Sequence, residues 1–213
     1  MNSFAQAYQD LYVLSVLDKK RNGTYLDIGC YVPKEGNNTH LLDSEFGWDG
    51  LNIDKSDFNF SCGGRTGRFV KCNATEPYPV EAFEIRDKLS PVMKIDYLSL
   101  DVDEDTNNAL LPALVFAKYS VITIEHDLYA RGIENQKYQR NLLRNHGYAL
   151  HVPDVFFPNN PQLVFEDWWL SPELASKNPQ LTEGPHDAAA VVQNLWLEKF
   201  GEDLNLMQGA SFS

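Results

Sequence analysis

Two carboxylates and a glycine frame the stretch "YLDIGCYVPKEGNNTHLLDSEFGWDGLNID", residues 25–54. Asp27 and Asp54 each close a short apolar run, and Gly29 follows the first acid. A nucleoside ribose offers two adjacent hydroxyl donors and a carboxylate has two oxygens to accept them, so an acid at the tip of a second strand reads a ribose diol. Dinucleotides and S-adenosylmethionine both present that diol. The turn after the first strand separates them. A dinucleotide needs Gly-x-Gly-x-x-Gly to lay its pyrophosphate on a helix N-terminus, but Gly29 is followed by Cys30, Tyr31, Val32 and Pro33, with the next glycine at Gly36. A sulfonium with an amino-acid tail needs no phosphate cradle, and its charge suits Asp27, Asp54 and Asp101. Gly29 itself, lacking a side chain, leaves room for a ligand to approach the backbone. The plain alternative is an ordinary strand-to-helix turn with acids as caps.

A second group gathers farther along. Asp101 and Asp103 stand two apart in "SLDVDED" and would point to one side of an extended chain, while Glu125, His126 and Asp127 close a later apolar run. Methyl transfer from a sulfonium asks the protein to align an acceptor oxygen and take its proton. His126 is the expected base, because a free imidazole titrates near ~6.5, and Asp101, Asp103 or Glu125 would orient it or bind the acceptor hydroxyl. These acids are also hard oxygen ligands of the kind Mg²⁺ or Ca²⁺ takes, yet no spaced metal-binding loop accompanies them, and no metal is assigned. His40, His146, His151 and His186 read as structural or surface residues.

The elements that must position these groups alternate. Helix-like spacing covers "AYQDLYVLSVL" (7–17), followed by a strand at "TYLDIG", a helix at "NNTHLLDSEF" capped by Asn37 or Asn38, and strands at "GLNID" and "GRFVKCNA". A helix at "PVEAFEIRDKL" leads to a strand at "KIDYLSLDV", a helix at "DTNNALLPALVFA" that Pro112 should limit or kink, a strand at "YSVITIEHD" and a helix at "NQKYQRNLLRNHG". Two late strands, "YALHVP" and "QLVFED", lack a helix between them and should pair antiparallel. This order predicts a Rossmann-like, doubly wound α/β fold: a mainly parallel sheet ending in an antiparallel hairpin, with helices on both faces. Ligands of such sheets bind beyond the carboxyl ends of the strands, where the strand order reverses.

The chain has 213 residues, 43% of them apolar, which suits one domain spanning 1–213. A net charge of -12 repels phosphate backbones and anionic membranes, which argues against nucleic acid and membrane partners. The basic islands "KKR" and "RTGRFVK" read as solvated surface. Cys30, Cys62 and Cys72 form no paired set and no signal segment opens the chain, so a cytoplasmic location is expected and the sequons at Asn37, Asn59 and Asn73 are chance matches. In "DAAAVVQNLWLEKF" one apolar face is expected to cover the sheet edge or, alternatively, to make a homodimer, while "GEDLNLMQGASFS" reads as a loose end.

Taken in order, "FAQAYQDLYVL", "YLDIGCYVPKEGNNTHLL", "GWDGLNID", "IDYLSLDVD", "VITIEHD" and "FEDWWLSPE" resemble FkbM-like S-adenosylmethionine-dependent methyltransferases over residues 3 to 173. The resemblance implies a seven-stranded class I methyltransferase sheet and O-methylation, with a sugar or glycan hydroxyl as acceptor. By position it implies that Asp27 and Gly29 flank the methionine moiety, that Asn38 and Thr39 cap the next helix beside it, and that Asp54 holds the ribose. Asn73 would meet the adenine edge, Ala74 would leave room for the ring, and Gln6 would fold over the cofactor. Cys30, Lys55 and Asp101 complete the implied cofactor set. The sequence departs from the family pattern at Pro33, Asn37 and Glu104 and in the shorter acid Asp103.

Overall fold

The computed structural model describes residues 1–58, 60, 65–157, 160–182, 184–204 and 206. Asn59, Cys62 and the tail from 207 onward lie outside the described residues. In chain order the elements are α1 (Gln9–Val16), β1 (Thr24–Ile28), α2 (His40–Phe46), β2 (Asp49–Asp54), β3 (Arg68–Lys71), α3 (Val80–Leu89), β4 (Lys94–Leu100), α4 (Thr106–Phe116), β5 (Lys118–Glu125), α5 (Leu128–Arg131), α6 (Ile133–Asn145), β6 (Ala149–Phe156), β7 (Val164–Leu170), α7 (Pro172–Ala175), β8 (His186–Asp187) and α8 (Ala188–Phe200). A single 3₁₀ turn, Asp103–Asp105, precedes α4.

The strands form one sheet in the order β3-β2-β1-β4-β5-β7-β6-β8. From β3 to β5 all neighbours run parallel, and β7 is antiparallel to both β5 and β6. The mixed α/β fold with its antiparallel C-terminal hairpin is the one the sequence predicts. The strand count is eight rather than seven, because the two-residue β8 adds to the free edge of β6. Two residues carry no periodic signal, so nothing in the pattern marks them.

Helices cover both faces. On one, Ile85, Leu110 and Leu143 from α3, α4 and α6 pack on Leu26, Leu98 and Ile122 of the sheet. On the other, Leu11, Leu42 and Val192 from α1, α2 and α8 pack on Tyr25, Tyr97 and Val121. Adjacent strand residues point to opposite faces. Trp168 therefore stacks on Tyr12 at 4.2 Å in the second core while Trp169 enters the first.

Helix α1 is buried along its whole length, since α8 lies over it and Trp196 Nε1 donates to Leu11 O at 3.0 Å. The apolar face of α8 is thus used within the chain, against α1, and the sheet edge is met by β8 instead. Helix α4 continues past Pro112 to Phe116, so the proline does not end it. Helix α2 starts at His40 after Thr39, with no side-chain cap: Asn37 Oδ1 accepts from Thr39 N–H at 3.0 Å, one residue ahead of the helix, and Asn38 donates to Ser99. Among the described residues no helix is long and apolar enough to cross a membrane.

Candidate functional site

Strand order reverses between β1 and β4, which neighbour each other while their successors β2 and β5 lie on opposite sides. At the carboxyl ends of these strands a cavity of about 870 Å³ opens, within the range of small-molecule and cofactor sites. Gly29 has φ +82°, and a Cβ there would stand 1.5 Å from the carbonyl oxygen of Asp101. The glycine is thus required first by the neighbouring backbone: Asp101 N–H donates to Ile28 O at 2.9 Å and Gly29 N–H to Ile53 O at 2.8 Å, tying three strand tips together. Gly29 also lines the cavity, as the ligand-approach reading requires.

Asp27 reaches the cavity from β1 and is 2% exposed. Its Oδ2 accepts from Thr39 Oγ1 at 2.8 Å. Burial pushes its carboxyl up to about 6, against the hydrogen bond from Thr39 and the charge of Arg65. Asn38 donates to Ser99 Oγ at 3.1 Å, but its buried Oδ1 has no partner within the protein. An orphaned buried acceptor is costly. With Asp27, which lines the same cavity, it offers an acceptor to a ligand N–H. Thr39 does not line the cavity: it is fully buried behind Asp27, so the expected direct contact becomes an indirect one. Cys30 lines the cavity with its thiol raised by burial and by Asp27 and Asp54, and so stays neutral.

Asp54 is 8% exposed and lines the same cavity. Its Oδ1 accepts from Ser56 N–H at 2.9 Å and its Oδ2 from Tyr31 N–H at 3.1 Å. Each carboxylate oxygen has a second lone-pair direction, so the capacity to take a diol remains. The same bond removes a phosphate cradle, since the Tyr31 amide is committed to Asp54 and α2 begins only at His40, far past Gly29. Among the described residues, no helix begins at the turn after Gly29, where a dinucleotide's pyrophosphate would rest.

Asn73, Ala74 and Lys55 line the far end. Asn73 is exposed and folded on its own loop: Oδ1 accepts from Thr75 N–H at 3.1 Å and Thr75 Oγ1 at 3.0 Å, and Nδ2 donates to Glu76 at 3.2 Å. Its side chain thus has one N–H left for a base edge. Gln6 lines the opposite wall, held there by the bridge between Ala5 and Gly36.

Asp101 and Asp103 line the cavity, although β4 ends at Leu100 and Asp103 begins the 3₁₀ turn at φ 50°, so strand alternation is not what aligns them. Asp101, Asp103 and Glu125 each place one carboxylate oxygen within 4.8 Å of the others. Glu125 does not line the cavity; it stands behind Asp101. Burial, then the hydrogen bond and charge of the adjacent Asp101, raise the Glu125 carboxyl far above its usual range, and burial raises Asp101 as well.

The expected base, His126, lies away from the cavity that gathers the acids. Its side chain is 0% exposed and outside the cavity lining. Leu128 N–H donates to Nδ1 at 3.2 Å, and Nε2 sits 3.1 Å from Gln136 Nε2 and 3.5 Å from Asp167. β5 ends at Glu125, and His126 lies just past it, with its backbone N–H donating to Phe165 O and its side chain packed toward Gln136 and Asp167. The triplet His126, Asp154 and Asp167 resembles a metal cluster, but Arg140 already fills it, bonding Asp167 at 2.7 Å and Asp154 at 2.8 Å. Burial would raise Asp167, yet the hydrogen bonds from Arg140 and His126 bring it down to about 2.

Two functional-looking residues escape sequence reasoning. Glu166 is buried beside Gln9 and Trp168, and burial pushes it up to about 8. An acid inside the apolar run "FEDWWL" was its signal. Arg65, in an island that reads as solvated surface, has a side chain only 2% exposed. No composition signal marks it, because its hydrogen-bond partners, Tyr25 and residues of the 33–43 stretch, come around it only in the fold.

No family model matches the sequence, and no curated protein matches it significantly. Solved structures share its fold. A candidate O-methyltransferase from Klebsiella pneumoniae superposes with a TM-score of 0.54 at 12% identity, over 78% of this chain and 80% of that one. A candidate rRNA-methylase from Clostridium thermocellum does so with a TM-score of 0.50 at 15% identity, over 86% of this chain and all of that one, 100%. The chain thus has the Rossmann-like fold found in methyltransferases, with its cavity at the point where the strand order of that fold reverses.

Proposed function

We propose that this chain is an S-adenosylmethionine-dependent O-methyltransferase of the FkbM-like group, a single cytoplasmic domain acting on a hydroxyl of a small molecule, by preference a sugar or glycan. The observation that carries the reading is one cavity that gathers Asp27, the unpartnered Oδ1 of Asn38, Asp54 and Asp101 without any phosphate cradle. Such a set fits a ligand with an ammonium, a ribose and no phosphate. Bound there, S-adenosylmethionine would supply an electrophilic methyl group.

The protein's own part is positioning and proton transfer. Asp27 and Asn38 hold the amino-acid end, Asp54 accepts from the ribose hydroxyls, and Ala74 leaves room for the base while Asn73 offers its remaining N–H. Asp101 faces the cavity, holds the acceptor hydroxyl and takes up its proton. Glu125, protonated behind Asp101, keeps a second negative charge from developing there. The sugar preference rests on the motif resemblance, and the overall negative charge supports a neutral acceptor over a phosphorylated one.

A panel of neutral sugars incubated with the protein and isotopically labelled S-adenosylmethionine, read by product mass spectrometry, tests the activity. Label in a sugar, lost in Asp101→Asn, is the expected result. Label in none of them, or undiminished turnover in the variant, counts against the reading.

A further inference from the structure

We infer that Arg65 is a positioning residue for the cofactor pocket: from behind the wall, its guanidinium fixes the 33–39 loop and the Asp27 carboxylate in the arrangement that receives the amino-acid end of the ligand. The inference rests on the cofactor reading above, but its geometry stands apart from it. A guanidinium has five N–H donors in a rigid fork. Here Nε donates to Asp43 Oδ2 at 2.8 Å, Nη1 to Pro33 O at 2.9 Å and Asn37 Oδ1 at 2.9 Å, and Nη2 to Thr39 Oγ1 at 2.8 Å and Tyr25 Oη at 3.1 Å. All five donors are used.

The partners are the two ends of one wall. Pro33 and Thr39 bracket the segment whose middle, Glu35 to Asn38, lines the cavity. Asn37 and Thr39 in turn donate to Asp27 Oδ2, at 3.4 Å and 2.8 Å, and Asn37 Nδ2 also donates to Cys30 O at 2.9 Å. Arg65 itself does not line the cavity, so it acts through Asn37 and Thr39. Asp43 is the compensating charge, at 2.8 Å with a side chain 3% exposed, which keeps the guanidinium from being an isolated buried ion. The rings of Phe60 and Tyr25 lie 5.3 Å and 5.8 Å from Cζ and close the niche.

Arg65 also sets the field at Asp27. The groups that face this carboxyl are Arg65, which lowers it, Asp101 beyond β4, which raises it, the Thr39 and Ser99 hydroxyls, which lower it, and the neutral Cys30 thiol. Removing the guanidinium removes the cation among them. A role confined to folding would leave the titration of Asp27 where it is.

Two variants of the full chain separate shape from charge. Asp27 is followed by carbon-13 NMR of its carboxyl in the ligand-free protein, and S-adenosylhomocysteine binding by calorimetry. Arg65→Met is expected to raise the Asp27 midpoint above its starting value near 6 and to weaken S-adenosylhomocysteine about tenfold or more. Arg65→Lys keeps a cation without the fork, so the midpoint should stay while affinity still falls several-fold. Arg65→Met with an unmoved Asp27 midpoint overturns the inference, as does Arg65→Lys with wild-type affinity. Should Arg65→Met fail to fold, Arg65→Lys decides alone. Should the wild-type protein ignore S-adenosylhomocysteine, the cofactor reading fails and the NMR midpoints alone decide the role of Arg65.

Discussion

Gly29→Ala probes the joint on which the pocket is built. Two terms add. A side chain at φ +82° carries the left-handed penalty of about 1 to 2 kcal/mol. The new Cβ would also stand 1.5 Å from Asp101 O, so the tips of β1 and β4 must part by about 2 Å to reach an ordinary contact of 3.4 Å. That movement breaks the 2.9 Å bond from Asp101 to Ile28 and strains the 2.8 Å bond from Gly29 to Ile53. At about 1 kcal/mol each, the bonds bring the loss to roughly 3 to 4 kcal/mol. Gly201→Ala is the control, because Gly201 has φ +67° but open space around it, so only the backbone penalty applies. At roughly 2 to 4 °C per kcal/mol for a chain of this size, Tm should fall by about 10 °C for Gly29→Ala and about 3 °C for Gly201→Ala. Equal shifts in thermal melts would show that the contact with Asp101 does not constrain the strand tips.

Four further outcomes follow from the buried polar side chains. Affinity for S-adenosylhomocysteine should hold above pH 6 and weaken as pH falls through the raised Asp27 pKa of about 6, since the ammonium requires the ionised carboxylate; Asp27→Asn should bind weakly with a flat profile in calorimetry across pH 5 to 8. In the ligand-free protein the sign reverses: Asp27 in its folded state retains protons that the unfolded chain has lost, so its stabilising contribution fades as pH rises from about 4 to about 6, and Asp27→Asn should be more stable to urea at pH 7 by up to about 3 kcal/mol. Asp167 works the other way: its folded pKa of about 2 lies below the unfolded value, so its contribution is present above about pH 4 and lost as pH falls through 2. Arg140→Met should remove that contribution and cost roughly 3 to 5 kcal/mol by urea unfolding at pH 7, leaving a flatter acid limb. His126→Ala should lose about 1 to 3 kcal/mol of stability and leave turnover per folded molecule within about twofold; abolished turnover in a fully stable variant would restore the histidine as base.

Much of the fold is legible because burial writes itself into period and composition. The continuous apolar runs of β1, β4 and β5 signal strands covered on both faces, and the missing helix between β6 and β7 signals the antiparallel hairpin. Elements too short to carry a period, β8, α5 and α7, left no such mark. Asp27, Asp54 and Asp101 are legible for a different reason: an acid closing an apolar run is a charge with an obligation. Side-chain direction is what the pattern did not carry. His126 sits among acids in the sequence, but it follows the last residue of β5, and its ring is taken up by Leu128, Gln136 and Asp167 rather than by the cavity. Arg65 was hidden because a buried arginine looks like a surface one until Asp43, Pro33, Asn37 and Thr39 are brought around it.

The claim beneath the whole account is that one cavity recognises an adenosine through Asp54 and has no place for a pyrophosphate. Calorimetric titration of the wild-type chain and Asp54→Ala with S-adenosylhomocysteine and with NAD tests it most directly. The account predicts saturable binding of S-adenosylhomocysteine, loss of about tenfold or more on removing the Asp54 carboxylate, and no binding of NAD. Tight NAD binding, or S-adenosylhomocysteine affinity indifferent to Asp54, would contradict it.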